Sequence, residues 1–199
     1  MQVFSLVLAG GTGERLGRVD KASIRLNGKT CLDHVLEVLA PQCDAIAISR
    51  AKTDGALAVG KAAVLTDAME PQVGPLGGIL AGAQWMARQV DRQRDAFLLV
   101  APVDTPLFPI DFGRKASELI SEKDVVIGKF GEDVYPVCGM WRLNAALAID
   151  DFLRQTDSFA IRRFFDGFRV GTLDYAQVQP FNPFKNINKI SDLLHFSAR

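Results

Sequence analysis

Apolar residues along the chain fall into two alternating rhythms. Runs that are mostly apolar or β-branched, at 3–9, 44–49, 62–66 and 96–100, read as short strands of a parallel sheet. Between them apolar residues return at helical spacing. Leu32, Val35, Leu36 and Leu39 predict a helix over 30–39 that stops at Pro41, and Ile79, Ala83 and Met86 predict another over 79–90. Residues 22–26 read as a short extended piece turning at Asn27-Gly28, and 51–60 as a weakly patterned helix. The run Ala96-Phe97-Leu98-Leu99-Val100 is the most hydrophobic of all and belongs at the middle of a sheet. Past it the pattern predicts helices over 112–121, 143–153, 159–165 and 191–196, the last capped by Ser191. Strands are expected over 124–128, 134–141 and 170–173.

Strand and helix alternate through the first half, which means an α/β fold: a twisted, mostly parallel sheet with helices on both faces. No repeat, low-complexity segment or linker divides the 199 residues, so a single domain is expected. In such sheets ligands settle outside the carboxyl ends of the strands. The glycines after the first strand, Ser49, Asp67 and Asp104 each fall just past a predicted strand. Four separate segments thereby deliver polar or backbone groups to one edge.

Composition narrows the partners. With 48% hydrophobic residues the chain can bury a sizeable core. Lys and Arg total 23 against 23 Asp and Glu, which excludes recognition of nucleic acid or a membrane by overall charge and makes any phosphate recognition local. The first residues form a strand without a basic leader, and no apolar run reaches the roughly 18 residues that span a bilayer. Cys31, Cys43 and Cys138 are odd in number and lack metal or redox spacing, so reduced thiols in a cytoplasmic protein are expected. His34 and His195 stand alone, with no triad or ligand spacing around them.

The densest chemistry lies in Val7-Leu8-Ala9-Gly10-Gly11-Thr12-Gly13-Glu14-Arg15-Leu16-Gly17-Arg18-Val19-Asp20-Lys21. Glycines bring backbone N–H groups close to an anion, and Arg15 and Lys21 add full positive charge, so the stretch reads as a phosphate cradle. Its spacing is not that of a P-loop, which needs G-x-x-x-x-G-K-S/T, nor of the dinucleotide fingerprint, since Leu16 stands where the third glycine belongs. Pro102 and Pro106 bracket Asp104 rigidly. That carboxylate either takes Mg²⁺ together with substrate phosphates or caps a turn. Asp67 equally bonds a base or sugar or caps the segment after its strand. Gly74-Pro75-Leu76-Gly77-Gly78 either passes close to a flat ligand or is a tight helix entry. Asn186 and Asn188 share one side of an extended segment, as a polar substrate or a turn would need. Phe159, Phe164, Phe165 and Phe168 read as core or pocket wall.

Leu8-Ala9-Gly10-Gly11 with Arg15, Gly17 and Asp20-Lys21 is followed by Leu26-Asn27-Gly28-Lys29, Gly74-Pro75-Leu76, Val103-Asp104-Thr105-Pro106, Tyr135-Pro136 and Asn186-Ile187-Asn188. In this order and at these intervals the chain resembles the molybdenum cofactor guanylyltransferases, nucleotidyltransferases of Rossmann-like fold, over nearly its full length. The resemblance implies a three-layer α/β/α fold around a mostly parallel, mixed sheet. It implies that residues 1–108 mainly bind GTP and Mg²⁺ and that 109–199 mainly bind the acceptor. Leu8, Ala9, Gly10, Gly11, Lys21, Ser49, Asp67, Gly74, Pro75, Leu76 and Asp104 would line the nucleotide site. Asp104 would hold Mg²⁺, and Arg15, Lys21 and Asp104 would serve catalysis. Tyr135, Pro136, Asn186 and Asn188 would face the pterin.

The implied reaction moves GMP from GTP to the phosphate of molybdopterin, with or without molybdenum, and releases pyrophosphate. Beyond the two substrates, the implied partners are molybdoenzyme chaperones or molybdenum-insertion proteins. Four positions depart from the family's common pattern: Arg18 replaces a second glycine, Ser49 an asparagine of some members, and Lys189-Ile190 a Thr-Pro pair. The rival expectations are a cytidylyltransferase or sugar-phosphate nucleotidyltransferase of the same architecture, and a non-catalytic carrier of pterin or nucleotide.

Overall fold

A computed structural model describes residues 1–10, 20–50, 60–67, 73–91, 94–156 and 159–187. The helices expected over 51–60 and 191–196 fall outside these residues, apart from Gly60. The chain enters through β1 (Gln2–Leu8), makes a small hairpin of β2 (Arg25–Leu26) and β3 (Lys29–Thr30), and continues through α1 (Cys31–Leu39), β4 (Ala45–Arg50) and β5 (Ala63–Thr66). Helix α2 (Pro75–Ala87) leads to β6 (Ala96–Pro102), α3 (Phe112–Leu119), β7 (Val125–Phe130) and β8 (Asp133–Arg142). Three short helices, α4 (Leu143–Leu147), α5 (Ile149–Gln155) and α6 (Ile161–Phe164), precede β9 (Val170–Asp174).

The strands form a mixed sheet in the order β5-β4-β1-β6-β8-β7-β9. Among the described strands β8 alone is reversed. Side chains alternate between two cores, as the pleat requires. Val3 and Val7 of β1, with Phe97 and Leu99 of β6, face the side covered by α1 and α3. Phe4, Leu6, Leu98 and Val100 face the side covered by α2, α4 and α5. The expected three layers are therefore present, and both faces of the central strands are dry. From β1 the chain steps outward to β4 and β5, then returns through α2 to β6 on the other side of β1. The carboxyl ends of β4, β1 and β6 meet at that change of direction, where open α/β sheets bind ligands.

Several elements differ from the pattern-based expectation. Residues 22–26 are not extended throughout: a 3-10 turn, Lys21–Ser23, comes first, with Asp20 as its cap. Thr30 and Asp33 exchange hydrogen bonds as a capping box, so α1 starts at Cys31. Helix α2 begins at Pro75, four residues before 79, because proline's fixed φ suits a first helical position. The helix expected over 143–153 is two helices meeting at Ala148, and that over 159–165 shortens to α6 plus a 3-10 turn, Phe165–Gly167. Phe164 packs on Trp141, Phe152 and Phe168, as core, whereas Phe159 is exposed. His34 serves structure, its Nε2 lying 2.9 Å from the Leu26 carbonyl of the hairpin.

The pairing of β7 with β8 jumps from Ile127 opposite Gly139 to Gly128 opposite Tyr135. Residues 136–138 are thrown out as a bulge, where Pro136 has no N–H to give the ladder. No helix among the described residues is long and apolar enough to cross a membrane.

Candidate active site

Backbone hydrogen bonds fasten the strand ends together. Ala9 N–H donates to the Ser49 carbonyl (2.8 Å), Val103 N–H to the Leu8 carbonyl (3.0 Å) and Asp67 N–H to the Arg50 carbonyl (3.0 Å). Between these ends lies a cleft of about 270 Å³. Leu8, Gly10, Ser49 and Asp67 line it from β1, β4 and β5, and Gly74, Pro75 and Gly78 line it from the start of α2. Pro102, Val103 and Asp104 come from the end of β6, with Lys21, Val137 and Asn186 on the remaining wall.

Lys21 Nζ donates to Asp104 Oδ2 at 2.7 Å, and the two side chains are only 19% and 11% exposed. A cation and an anion are thus held together where strands β1 and β6 end. Partial burial makes this pair stronger than its surface counterparts, because less water screens it. Behind it, burial and the negative charge of Asp104 push the Cys31 thiol up to about 11. Burial also raises the Cys138 thiol in the β8 bulge, beside the Thr105 side chain. All three cysteines are free.

On the other side of the cleft the Ser49 hydroxyl donates to Asp67 Oδ1. Helix α2 lies against this pair at Gly78. A Cβ there would stand 2.7 Å from Leu8 Cδ2 and 2.8 Å from Ser49 Oγ, so only glycine allows the approach. The glycine cluster is therefore a helix entry whose residues Gly77 and Gly78 are buried within α2. From the far end of the chain, Ile187 N–H donates to the Asp104 carbonyl at 2.9 Å. Ile187 itself is buried with Leu26 and Cys31. The Thr105 hydroxyl donates to Asn186 Oδ1 at 3.2 Å, and Asn186 lines the cleft.

Of the residues singled out from sequence, Leu8, Gly10, Lys21, Ser49, Asp67, Gly74, Pro75, Asp104 and Asn186 line this one cleft. Ala9 and Leu76 do not: Ala9 is buried with its N–H bonded to Ser49, and the Leu76 side chain lies in the core under α2. Tyr135 packs its ring on Phe184, centroids 5.2 Å apart, and its hydroxyl accepts from Asn182 Nδ2. The bulge carries the next-but-one residue, Val137, to the cleft instead. Gly11, Arg15 and Asn188 lie outside the described residues. Gly78 and Thr105 stand in the sequence only as members of the Gly74–Gly78 and Val103–Pro106 motifs, and Val137 is not singled out at all. Val137 sits two places beyond Tyr135, and that adjacency is its only signal.

No group of three His, Cys, Asp or Glu that could hold a metal occurs among the described residues. A single carboxylate, Asp104, still suits Mg²⁺, which takes one or two carboxylates and fills its shell with phosphate oxygens and water.

A cleft at the strand switch point that sets a lysine against a carboxylate, walled by glycine-rich backbone, is the arrangement of a nucleotidyltransferase. Residues 5–167 match the family model described as the MobA-like NTP transferase domain. Over 197 residues the chain is 36% identical to a protein named molybdenum cofactor guanylyltransferase from Cereibacter sphaeroides, covering 97% of this chain and 94% of that one. A protein of the same name from Acidiphilium cryptum is 33% identical over 189 residues, covering 95% and 91%. Among solved structures, molybdopterin-guanine dinucleotide biosynthesis protein A from Archaeoglobus fulgidus shares the fold with a TM-score of 0.76 at 22% identity, over 98% of this chain and 97% of that one. So does 4-diphosphocytidyl-2C-methyl-D-erythritol synthase from Anaerococcus prevotii, with a TM-score of 0.73 at 11% identity over 99% and 95%. The chain belongs to the MobA-like NTP transferases and, within them, to the molybdenum cofactor guanylyltransferase family.

Proposed function

We propose that this chain transfers GMP from GTP to the terminal phosphate of molybdopterin or its molybdenum-loaded form. An acceptor phosphate oxygen attacks the α-phosphorus in line. The bond from that phosphorus to the β-phosphate bridging oxygen breaks, and pyrophosphate leaves with the electron pair. The acceptor is already an anion, so the step needs no general base. The observation that carries the reading is the Lys21–Asp104 pair, 2.7 Å apart at the ends of β1 and β6, within a guanylyltransferase family member.

In phosphate transfer the protein mainly positions groups and offsets charge. Lys21 and Arg15 would offset the charge of the departing pyrophosphate. Backbone at Leu8, Ala9, Gly10 and Gly11 cradles the phosphates. Asp67, held by Ser49, accepts hydrogen bonds from base or sugar, with Gly74, Pro75 and Leu76 opposite. Asp104 would hold Mg²⁺, which when bound would supply positive charge against that of the phosphates. Asn186 and Asn188 receive the pterin, with Tyr135 and Pro136 supporting the wall behind them. The chain works as a single domain whose residues 1–108 mainly serve the nucleotide and 109–199 mainly the acceptor. The cytoplasm is the compartment that three free cysteines support.

The test is pyrophosphate release by the purified chain with Mg²⁺, molybdopterin and, in turn, GTP, CTP or ATP. Release matched by guanine dinucleotide, and with GTP alone, is expected. Release with CTP instead overturns the guanine assignment, and none with any nucleotide overturns nucleotidyl transfer.

A further inference from the structure

Arg50 ends β4, one residue past Ser49, and the reaction above does not use it. Its carbonyl accepts the Asp67 N–H at 3.0 Å. Its guanidinium reaches the opposite way: Nη2 lies 2.7 Å from Asp20 Oδ2, with the Arg50 side chain 17% exposed and that of Asp20 35%. The other Asp20 oxygen accepts the Ala22 N–H at 3.0 Å, and the Asp20 carbonyl accepts the Ser23 N–H at 3.0 Å. Asp20 is therefore the cap of the 3-10 turn that carries Lys21 to Asp104. One residue braces the Asp67 side of the cleft through its backbone and the Lys21 side through its side chain.

Asp20 is useful as a cap and awkward as a charge. Its carboxylate stands next in sequence to the lysine that faces a triphosphate, and a half-buried negative charge there repels that ligand. Screening by salt is weak for such a group. The Arg50 contact is a charge-assisted hydrogen bond from a guanidinium to the carboxylate. It cancels the charge while leaving the capping oxygen in place.

We infer that Arg50 is a positioning residue for nucleotide capture: its ion pair with Asp20 neutralises a carboxylate beside the triphosphate and steadies the capped turn that presents Lys21. This rests on GTP being the nucleotide. The test compares full-length wild type, Arg50→Ala, Arg50→Lys and the double variant Asp20→Asn/Arg50→Ala by calorimetry with GTP and Mg²⁺, followed by steady-state rates. Arg50→Ala should bind GTP about tenfold more weakly, equivalent to about 1.4 kcal/mol. Its KM for GTP should rise accordingly while kcat changes by less than roughly threefold. Arg50→Lys keeps the charge and should stay within roughly threefold of wild type. Adding Asp20→Asn to Arg50→Ala should restore most of the affinity, because asparagine still caps the turn without a charge.

Wild-type affinity in Arg50→Ala overturns the inference, and so does a double variant as weak as the single one, which is what a purely structural arginine would give. Absence of GTP binding by wild type overturns the guanylyltransferase reading instead, so the two failures are distinct.

Discussion

The two halves of the sheet reach the cleft by different routes. In β5, β4, β1 and β6 all strands run parallel, so each opens onto the same edge and delivers what stands at or just past its end: Asp67, Ser49, Gly10, Asp104. In β8, β7 and β9 the strand nearest the cleft is reversed, and it can contribute only from its interior. It does so through the 136–138 bulge, which brings an apolar side chain, Val137, while Tyr135 goes to packing. Parallel strands make a polar site wherever they end. An antiparallel strand needs an irregularity to take part, and what it then supplies is wall more than charge.

The strongest way to break this contrast is to remove Asp104. Pyrophosphate release should fall at least about a hundredfold in Asp104→Ala, while circular dichroism stays native. Persistent release would move the chemistry to the other half. A matched pair of glycine variants sharpens the division. Gly128 lies under the Phe184 ring, where a Cβ would stand 2.7 Å from ring carbons, much as Gly78 lies under Leu8 and Ser49. Gly78→Val and Gly128→Val should each cost about 1–3 kcal/mol in denaturant unfolding. Only Gly78→Val should lose GTP affinity, and only Gly128→Val should raise the KM for the acceptor. Equal losses of GTP affinity would erase the division.

Alkaline titration probes both halves together. Cys31 ionises at an ordinary value of 9.0 when unfolded and at about 11 when folded. Between those values the unfolded chain gives up a proton that the folded chain keeps, so stability should fall as pH rises from about 9 towards 11. Cys138 shifts in the same direction, and replacing either thiol by alanine should flatten the fall. A slope unchanged in both variants would remove the thiols as its cause. The smallest effect belongs to Tyr135→Phe, which strands the Asn182 amide. A loss of about 1 kcal/mol with unchanged GTP affinity is expected, and an altered GTP affinity would tie Tyr135 to the nucleotide side.

The same contrast explains what was legible in advance. Strands β1, β4 and β6 are apolar on both faces because both faces are covered, and that leaves a plain mark in sequence. Ser49 near the end of β4, Asp67 just after β5 and Asp104 just after β6 could be placed at one edge by topology alone. The start of α2 could not, since Gly77 and Gly78 are poor helix formers and their place in a helix is set by close neighbours, Val73 for Gly77 and Leu8 with Ser49 for Gly78. The bulge was invisible because Pro136 only permits it, and its size depends on pairing with β7. Partners far apart in the chain, Lys21 with Asp104 and Arg50 with Asp20, leave no local periodicity to read.

Asn186 and Ile187 meet Thr105 and Asp104 across a long interval, 81 residues between Thr105 and Asn186. A ribosome takes roughly 4–16 s to add that length. Lys21, Asp67 and Asp104 thus emerge well before the segment that completes their cleft. The order of synthesis brings out the charged groups of the cleft first and the Asn186 amide that closes it last.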